Sequence, residues 1–472
     1  MQITKREFLK RLGLGGAALA AGGVLADEAV KTKQMLPPGS VGDPDNVWFG
    51  KNIFPLDHTM EDGPSCALKD GKIVQPAREI PVFHKADVVV VGGGPAGFAA
   101  AIAAARTGAK VALVERYGSL GGLFTNGMVL IMLCTSYMVD GKYRLVTKGL
   151  MEEFARRARA LGPHVCTGPV PPNRHWQPVV DPEGAKYLMD RMVEEEKIDM
   201  FFHCWGVDVV QDGNKVQGVV FESKQGRQAI LAKQVVDCSG DADMLFAAGG
   251  DYRQITHGIG HVVRLGNMDR IWAKQPPKGA TRANRWPMRS NEANPSTWWG
   301  NSGTGPKGNG LDVRDLTAAE IGFRTHWWDH VEEMRKTPGW EEVFIANTCS
   351  QIGPRASRLI AAETIVDRKV YREGKRPADT VGMFGADGSH RAPMYVPYRQ
   401  LLPKGVDNVL CAGRMLGAPD TIDTFRLICP CFVTGEAAGT AAALAALKGC
   451  TPRALDVTTL QKRLEDANVC LA

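Results

Sequence analysis

The stretch that most restricts the fold runs from Asp87 to Glu115, DVVVVGGGPAGFAAAIAAARTGAKVALVE. Residues 87–91 are a β-branched run of the kind that suits a strand buried on both faces of a parallel sheet. Gly92, Gly94 and Gly97 follow in the spacing G-x-G-x-x-G. Pro95 stands where a first helical turn begins, with Ala96 after it, and small or apolar residues continue to Ala105. A second strand, 110–114, ends in Glu115, eighteen positions after Gly97 (97 to 115). Glycines at that spacing allow a tight turn and close approach of the backbone, so a pyrophosphate can rest on the helix N-terminus. An acid at the end of the second strand can accept hydrogen bonds from ribose hydroxyls. Gly303, Gly305 and Gly308 repeat the spacing without a strand pattern before or a helix pattern after, and read as a loop.

A chain of 472 residues is long enough for two or three domains and a large core. The formal charge is 57 − 51 = +6, and +3 of it lies in the first 26 residues, so no nucleic-acid partner is expected. The eleven cysteines contain no C-x-x-C, which argues against cluster, zinc-ribbon and c-type haem sites. They read as buried free thiols, with a strained Cys429–Cys431 bridge as the alternative.

Residues 1–26 combine a basic start, a short glycine-rich apolar stretch and Val24-Leu25-Ala26 before Asp27, the pattern of a cleaved export signal. Thr4-Lys5-Arg6-Glu7-Phe8-Leu9-Lys10 resembles the twin-arginine signal with Lys in the first arginine position. Periplasmic localisation is therefore expected, with no stable membrane span. Residues 27–85 read as an extended N-terminal arm, rich in Pro, Gly, Asp and Lys.

Helices are expected over 148–161, 183–197 and 317–335. Strands are expected over 198–204, 207–211, 216–222, 227–231, 234–238, 394–398 and 408–412, and an alanine-rich helix opens at Thr434 and runs to Leu447. Seven of the ten tryptophans fall between Trp272 and Trp340, suggesting an aromatic pocket, a subunit interface or core packing.

Four stretches together resemble the FAD-dependent oxidoreductases of the glutathione-reductase structural type, distantly similar to fumarate reductase flavoproteins. They are GGGPAG with Glu115; LGGLFTNG (120–127); VVDCSGDAD (235–243); and a C-terminal block made of 353–358, 395–414 and 425–446. The resemblance implies an α/β fold, with a Rossmann-like three-layer FAD-binding domain formed by 86–250 and 401–472. A largely antiparallel substrate domain, 251–400, is inserted between the two parts. It further implies that Gly92, Gly94, Pro95, Ala96, Gly97, Glu115 and Arg116 hold the adenosine diphosphate half. Gly121, Gly122 and Asp241 would lie along the cofactor, and Gly413, Arg414, Gly435 and Ala438 would approach the flavin end. Covalently flavinylated relatives carry a His just after the second strand; 116–127 has none, so non-covalent FAD is expected.

His257, His390, Arg399 and Arg426 are the candidate catalytic residues, arginine to hold an anionic group and histidine to move a proton. Arg355 and Arg358 are candidates for FAD phosphate, for loop fixation or for substrate; Asp420 and Asp423 are candidate ion-pair partners of Arg426. Neither His257/His261 nor His326/His330 is expected to bind a metal. The implied function is an exported oxidoreductase moving two electrons between FAD and a small organic substrate. With a single dinucleotide fingerprint, its electrons go to or come from a separate protein, a quinone or oxygen. The alternative is a flavin-bearing electron-transfer or scaffold subunit of a larger redox complex. An occluded flavin face would favour that alternative, and an open pocket lined by arginine, histidine and tryptophan the enzyme. Homo-oligomerisation is left open.

Overall fold

The computed structural model describes residues 66–168, 176–274, 293–301, 305, 307–385 and 393–472. The signal-like segment 1–26, His390 and Arg391 lie outside them. Two compact units divide the chain, Met1–Pro76 and Ala77–Ala472. Within the first, Ala67–Lys69 and Lys72–Val74 form a hairpin.

The second unit is built on β1 (Val82–Val91), α1 (Pro95–Arg106) and β2 (Val111–Val114). Val88, Val89 and Val90 are fully buried, each contributing about 1.5–3 kcal/mol by leaving water. The strand starts four residues inside the stretch expected to be arm. Its first half has only exposed and half-buried positions, so no continuous apolar run marks it. Phe83 anchors that half, edge-on to Phe201 and Phe221 at 5.1 and 5.6 Å.

Next come α2 (Leu150–Ala160), α3 (Pro182–Glu195), β3 (Asp199–Phe201), β4 (Trp205–Asp212), β5 (Lys215–Ser223) and β6 (Gly226–Asp237). The last is one twelve-residue strand where two were expected. It stays extended through Ala232 and Lys233 because Ala232 pairs with Ala86 and Lys233 Nζ reaches Asp87 at 2.8 Å. Its first half pairs antiparallel with β5, and its second half pairs parallel with β7 (Val409–Cys411). The parallel strands thus run in the order β3-β2-β1-β6-β7, with β4 and β5 as an antiparallel extension of the same seven-stranded sheet.

Between β6 and β7, every strand pair among the described residues is antiparallel. The helix Val313–Arg335 begins four residues earlier than its pattern suggested, because the Asp312 carboxylate accepts the Arg314 and Asp315 N–H groups at 2.7 and 3.3 Å. Trp298, Trp327 and Trp340 fill a small separate core with Val263, Leu265 and Met334. For these three tryptophans core packing is the outcome, whereas Trp328 is exposed. Val381, Phe384, Met394, Val396 and Tyr398 belong instead to the large core under the sheet. These side chains, although they precede residue 400, pack with those of the dinucleotide-binding part.

The C-terminal helix, Ile428–Lys448, is buried along almost its whole length and starts six residues before Thr434. Pro430 does not interrupt it, since proline in a first turn has no intrahelical N–H to lose. Gly435 and Ala438 therefore sit in the helix interior. A Cβ on Gly435 would lie 2.0 Å from Ala96 O, and one on Gly439 would lie 2.0 Å from Ala100 O, so the helix rides directly on the α1 backbone. All eleven cysteines are free thiols, eight of them buried, and Cys429 and Cys431 are unbridged.

Two outcomes follow for stability. Gly439→Ala is expected to cost about 1–3 kcal/mol or more through forced separation of the two helices. Gly322→Ala, on an exposed helix face where a Cβ meets nothing within 4 Å, is expected to add about 0.5–1 kcal/mol. Denaturant melts of both variants read this, and a neutral Gly439→Ala would refute the close contact. Burial pushes the Glu436 carboxyl up to about 8, against one hydrogen bond from Leu150 N–H at 3.0 Å. The folded state then holds a proton that the unfolded state has lost above about 4.5. Stability conferred by that proton falls as pH rises from about 4.5 through 8. Glu436→Gln should melt progressively higher than the parent between pH 5 and 8.5, and parallel pH profiles would refute the shift.

Candidate functional site

Register aligns the ends of the parallel strands at Val91, Val114, Asp237 and Cys411, and these ends open onto a cleft. The neighbours of β1 leave on opposite sides, β2 through α1 and β6 on the other edge, which makes the turn after β1 the point where strand order reverses. Ligands of open α/β sheets bind at such points.

The turn is built by backbone contact. Gly92 has φ +97°, and a Cβ there would stand 2.4 Å from Cys238 O. A Cβ on Gly97 would stand 1.7 Å from Gly92 O, so only glycine lets the helix start directly over the turn. Gly94, by contrast, faces open space, with nothing within 4 Å of a Cβ built on it. Glu115 is buried and ties the two β-α ends together: Gly93 N–H donates to Oε2 at 2.6 Å and Tyr117 N–H to Oε1 at 2.8 Å. Burial pushes its carboxyl up, while those two N–H groups oppose the shift. Arg116 lies over the rings of Tyr117 and the exposed Trp205, 4.9 and 5.3 Å from their centroids.

Across the cleft, Asp237 is fully buried. It accepts from Ser239 N–H, Ser239 Oγ–H, Met244 N–H and Leu245 N–H at 2.7–3.0 Å, which fixes the turn after β6. Arg414 Nη2 makes a two-oxygen contact with Asp241 at 2.7 and 2.8 Å, its Nε donates to Gly240 O at 2.8 Å, and its Nη1 donates to Pro354 O. Ser357 Oγ also donates to Asp241. Arg358 donates to Asp241 O and Asp243, both at 2.9 Å, and lies over Phe246, so of its three expected uses the geometry assigns loop fixation.

At the other end, Arg426 lines the cleft and its Nε and Nη2 reach Asp423 at 3.0 and 2.8 Å. His257 Nε2 lies 3.5 Å from the same carboxylate. Gln351 lines the cleft, and its buried Oε1 has no hydrogen-bond partner among the described residues. Cys238 and Cys431 also line it, but burial pushes the Cys238 thiol well up and the Cys431 thiol to about 12, so neither is a thiolate at neutral pH.

The cleft therefore gathers Gly92, Gly94, Pro95, Ala96, Glu115, Arg116, Gly122, Gly413, Arg414 and Arg426. Gly97 lies beneath the turn, and Gly121 donates to Gly93 O at 2.8 Å. Three expectations are corrected. Asp241 does not line the cleft, because its carboxylate is held by Arg414 and Ser357. Gly435 and Ala438 are helix-packing positions two turns into a helix that was expected to begin beside them. Arg399 is turned outward onto Asp379 at 3.0 Å, since its neighbour Tyr398 is buried with its hydroxyl donating to Pro452 O. Asp237 and Gln351 were missed. The first had a signal, an acid ending an apolar strand before a Ser-Gly turn; the second had none.

The family description "FAD dependent oxidoreductase" matches residues 87–464. The chain belongs to that family. Dihydrolipoyl dehydrogenase of Trypanosoma brucei brucei is 57% identical over 49 residues, 10% of either chain. Soluble pyridine nucleotide transhydrogenase of Chromohalobacter salexigens is 54% identical over 164 residues, 33% of this chain and 31% of that one. The chain thus matches about a tenth to a third of the length of these relatives. Among solved structures, a geranylgeranyl bacteriochlorophyll reductase-like protein from Thermoplasma acidophilum is 13% identical with a TM-score of 0.44, over 82% of this chain and 84% of the other. The p-nitrophenol 4-monooxygenase of Pseudomonas putida DLL-E4 is 14% identical with a TM-score of 0.42, over 81% and 84%.

The family the chain belongs to is FAD-dependent, and the chain's residues fit that cofactor. The open space before Gly94 and the buried Gln351 Oε1, without a hydrogen-bond partner among the described residues, leave room and an acceptor for such a group. Removing the Arg414 side chain as Arg414→Leu strands the buried Asp241 charge and should cost about 3–5 kcal/mol. Adding Asp241→Leu should recover part of that loss in denaturant titrations; a double variant no better than the single would refute the pairing.

Proposed function

We propose that the chain is an exported flavoenzyme passing two electrons, as a hydride, between non-covalently held FAD and a small organic substrate. It exchanges those electrons with a separate redox protein, a quinone or oxygen. The observation that carries this reading is the open cleft running from the glycine turn to Arg426. A scaffold subunit would have its flavin face covered, whereas among the described residues this cleft is lined by ionisable side chains, Glu115, Arg116, Asp243, Arg414 and Arg426. Export rests on the sequence of residues 4–26.

In this reading FAD supplies the hydride chemistry. The chain's residues bind and orient it. Gly92, Gly94, Pro95, Ala96 and Gly122 place backbone against the diphosphate at the N-terminus of α1, where peptide dipoles favour negative charge. Glu115 keeps acceptor capacity beyond its two backbone partners for ribose hydroxyls. Gly413 and Arg414 border the flavin end, and Gln351 Oε1 offers an acceptor there. The buried lining excludes water from one side of the cleft and leaves the Arg426 side for substrate.

The purified protein should show visible flavin absorbance, released by acid precipitation, that bleaches on anaerobic reduction. Return within seconds on admitting oxygen would indicate an oxidase. Return only with a quinone or dye would indicate a dehydrogenase or reductase with its own partner. No flavin after reconstitution with FAD would refute the reading. Gly94→Ala should bind FAD at least about tenfold more weakly while melting as the parent does without cofactor, because its methyl meets only open space in the protein.

A further inference from the structure

We infer that the outward face of the helix Val313–Arg335 is a self-association surface. On it a second copy of this chain lays the same helix, antiparallel, about a two-fold axis.

This helix is apolar on two faces. Phe323, Trp327, Val331 and Met334 are buried on the inner one. On the other, Ile321 and Trp328 are 58% and 60% exposed, and their separation, 321 to 328, is two helical turns. A surface helix ordinarily has one apolar stripe toward its core and a polar face opposite. A second stripe that ends in an exposed indole marks a surface that meets a partner. Ala318 extends the stripe by one turn, and Thr317 and Thr325 flank it. Both threonine hydroxyls donate within the helix, Thr317 to Val313 O at 2.6 Å and Thr325 to Ile321 O at 3.2 Å. Covering this face therefore leaves neither hydroxyl unpaired.

The order of residues along the face says what covers it. Arg314 lies two turns before Ile321, and Glu332 one turn after Trp328, so the stripe has a base at one end and an acid at the other. The pattern is symmetric about residue 323: (314 + 332)/2 = 323, and (321 + 325)/2 = 323. Two copies laid antiparallel about that point bring Arg314 of each to Glu332 of the other. Trp328 of each then stands over the hole between Arg314, Thr317, Ala318 and Ile321 of the other, in the manner of a knob into a hole. The charges are available for this. The Arg314 guanidinium makes no hydrogen bond or ion pair among the described residues, whereas Arg324 on the flank is paired with Glu320 at 2.8 Å. Glu332 holds Arg335 through Oε1 at 2.6 Å, which leaves Oε2 for a second cation. A parallel pair would set like charges against each other at both ends, so the charges select the antiparallel one. The strip is about 27 Å long, from 18 rises of about 1.5 Å, and about 10 Å wide. That is at the small end of specific interfaces, and the dimer is reversible with a Kd of about 10 μM.

The test is analytical ultracentrifugation of the purified protein with FAD added, from about 1 to about 200 μM, a range that brackets the expected Kd. The parent should pass reversibly from monomer to dimer and no further, because a two-fold contact closes on itself. Ile321→Glu and Trp328→Glu should each weaken association at least about tenfold. Both should melt as the parent does when dilute, since each side chain faces solvent in the single chain. Arg314→Glu should weaken association, and so should Glu332→Arg. Mixing those two variants in equal amounts should restore the dimer, and so should placing both changes in one chain, because each sets opposite charges in register. A merely structural role for either residue would not give that recovery. A monomer at every concentration, a dimer indifferent to Ile321→Glu and Trp328→Glu, growth beyond the dimer, or no recovery on mixing would each overturn the surface.

Discussion

Contact of backbone on backbone is the constraint on which the cleft depends. Gly97 rests on Gly92 O, Gly92 on Cys238 O, Gly435 on Ala96 O and Gly439 on Ala100 O. These four approaches bring α1, the C-terminal helix and the turns after β1 and β6 within the thickness of a peptide plane. A side chain at any of them would act as a spacer, and the strand ends would no longer share one opening. The buried valines of β1 hold the sheet together, but these glycines decide how close the cofactor can come to it.

Against that frame the polar groups divide by what holds them. Glu115 and Asp237 accept from backbone N–H groups and set the two turns on either side of β1. Asp241 and Arg414 neutralise one another and lock the segment after β6 to the segment after β7. Toward the inserted antiparallel part, Arg426 is paired with Asp423, and His257 approaches the same carboxylate.

Much of this was legible from residues 87–115, because strand, turn, helix and acid are local and each has its own residue pattern. The parallel order was less so, since β6 changes partner at mid-strand and pairing is invisible in one chain's composition. The start of the C-terminal helix was placed too late, at Thr434; Pro430 stands in its first turn, where a proline has no hydrogen bond to lose. Arg399 and Arg426 look equivalent in sequence, and only the burial of Tyr398 turns one outward while the other enters the cleft. Gln351 could not be found at all: its significance lies in an atom left without a partner, which is a property of the fold.

The buried thiols have a consequence of their own. Cys349 packs in a small cluster with Met128, Leu130, Val179 and Val262, whereas Cys134, Cys166, Cys204, Cys238, Cys411, Cys429 and Cys431 lie in the large core. With no disulfide to tie distant segments, each core is free to open on its own, and each carries its native reporter. The order in which these sulfurs become reactive toward an alkylating reagent under mild denaturation would give the order in which the two parts of the molecule come apart, without introducing a single label.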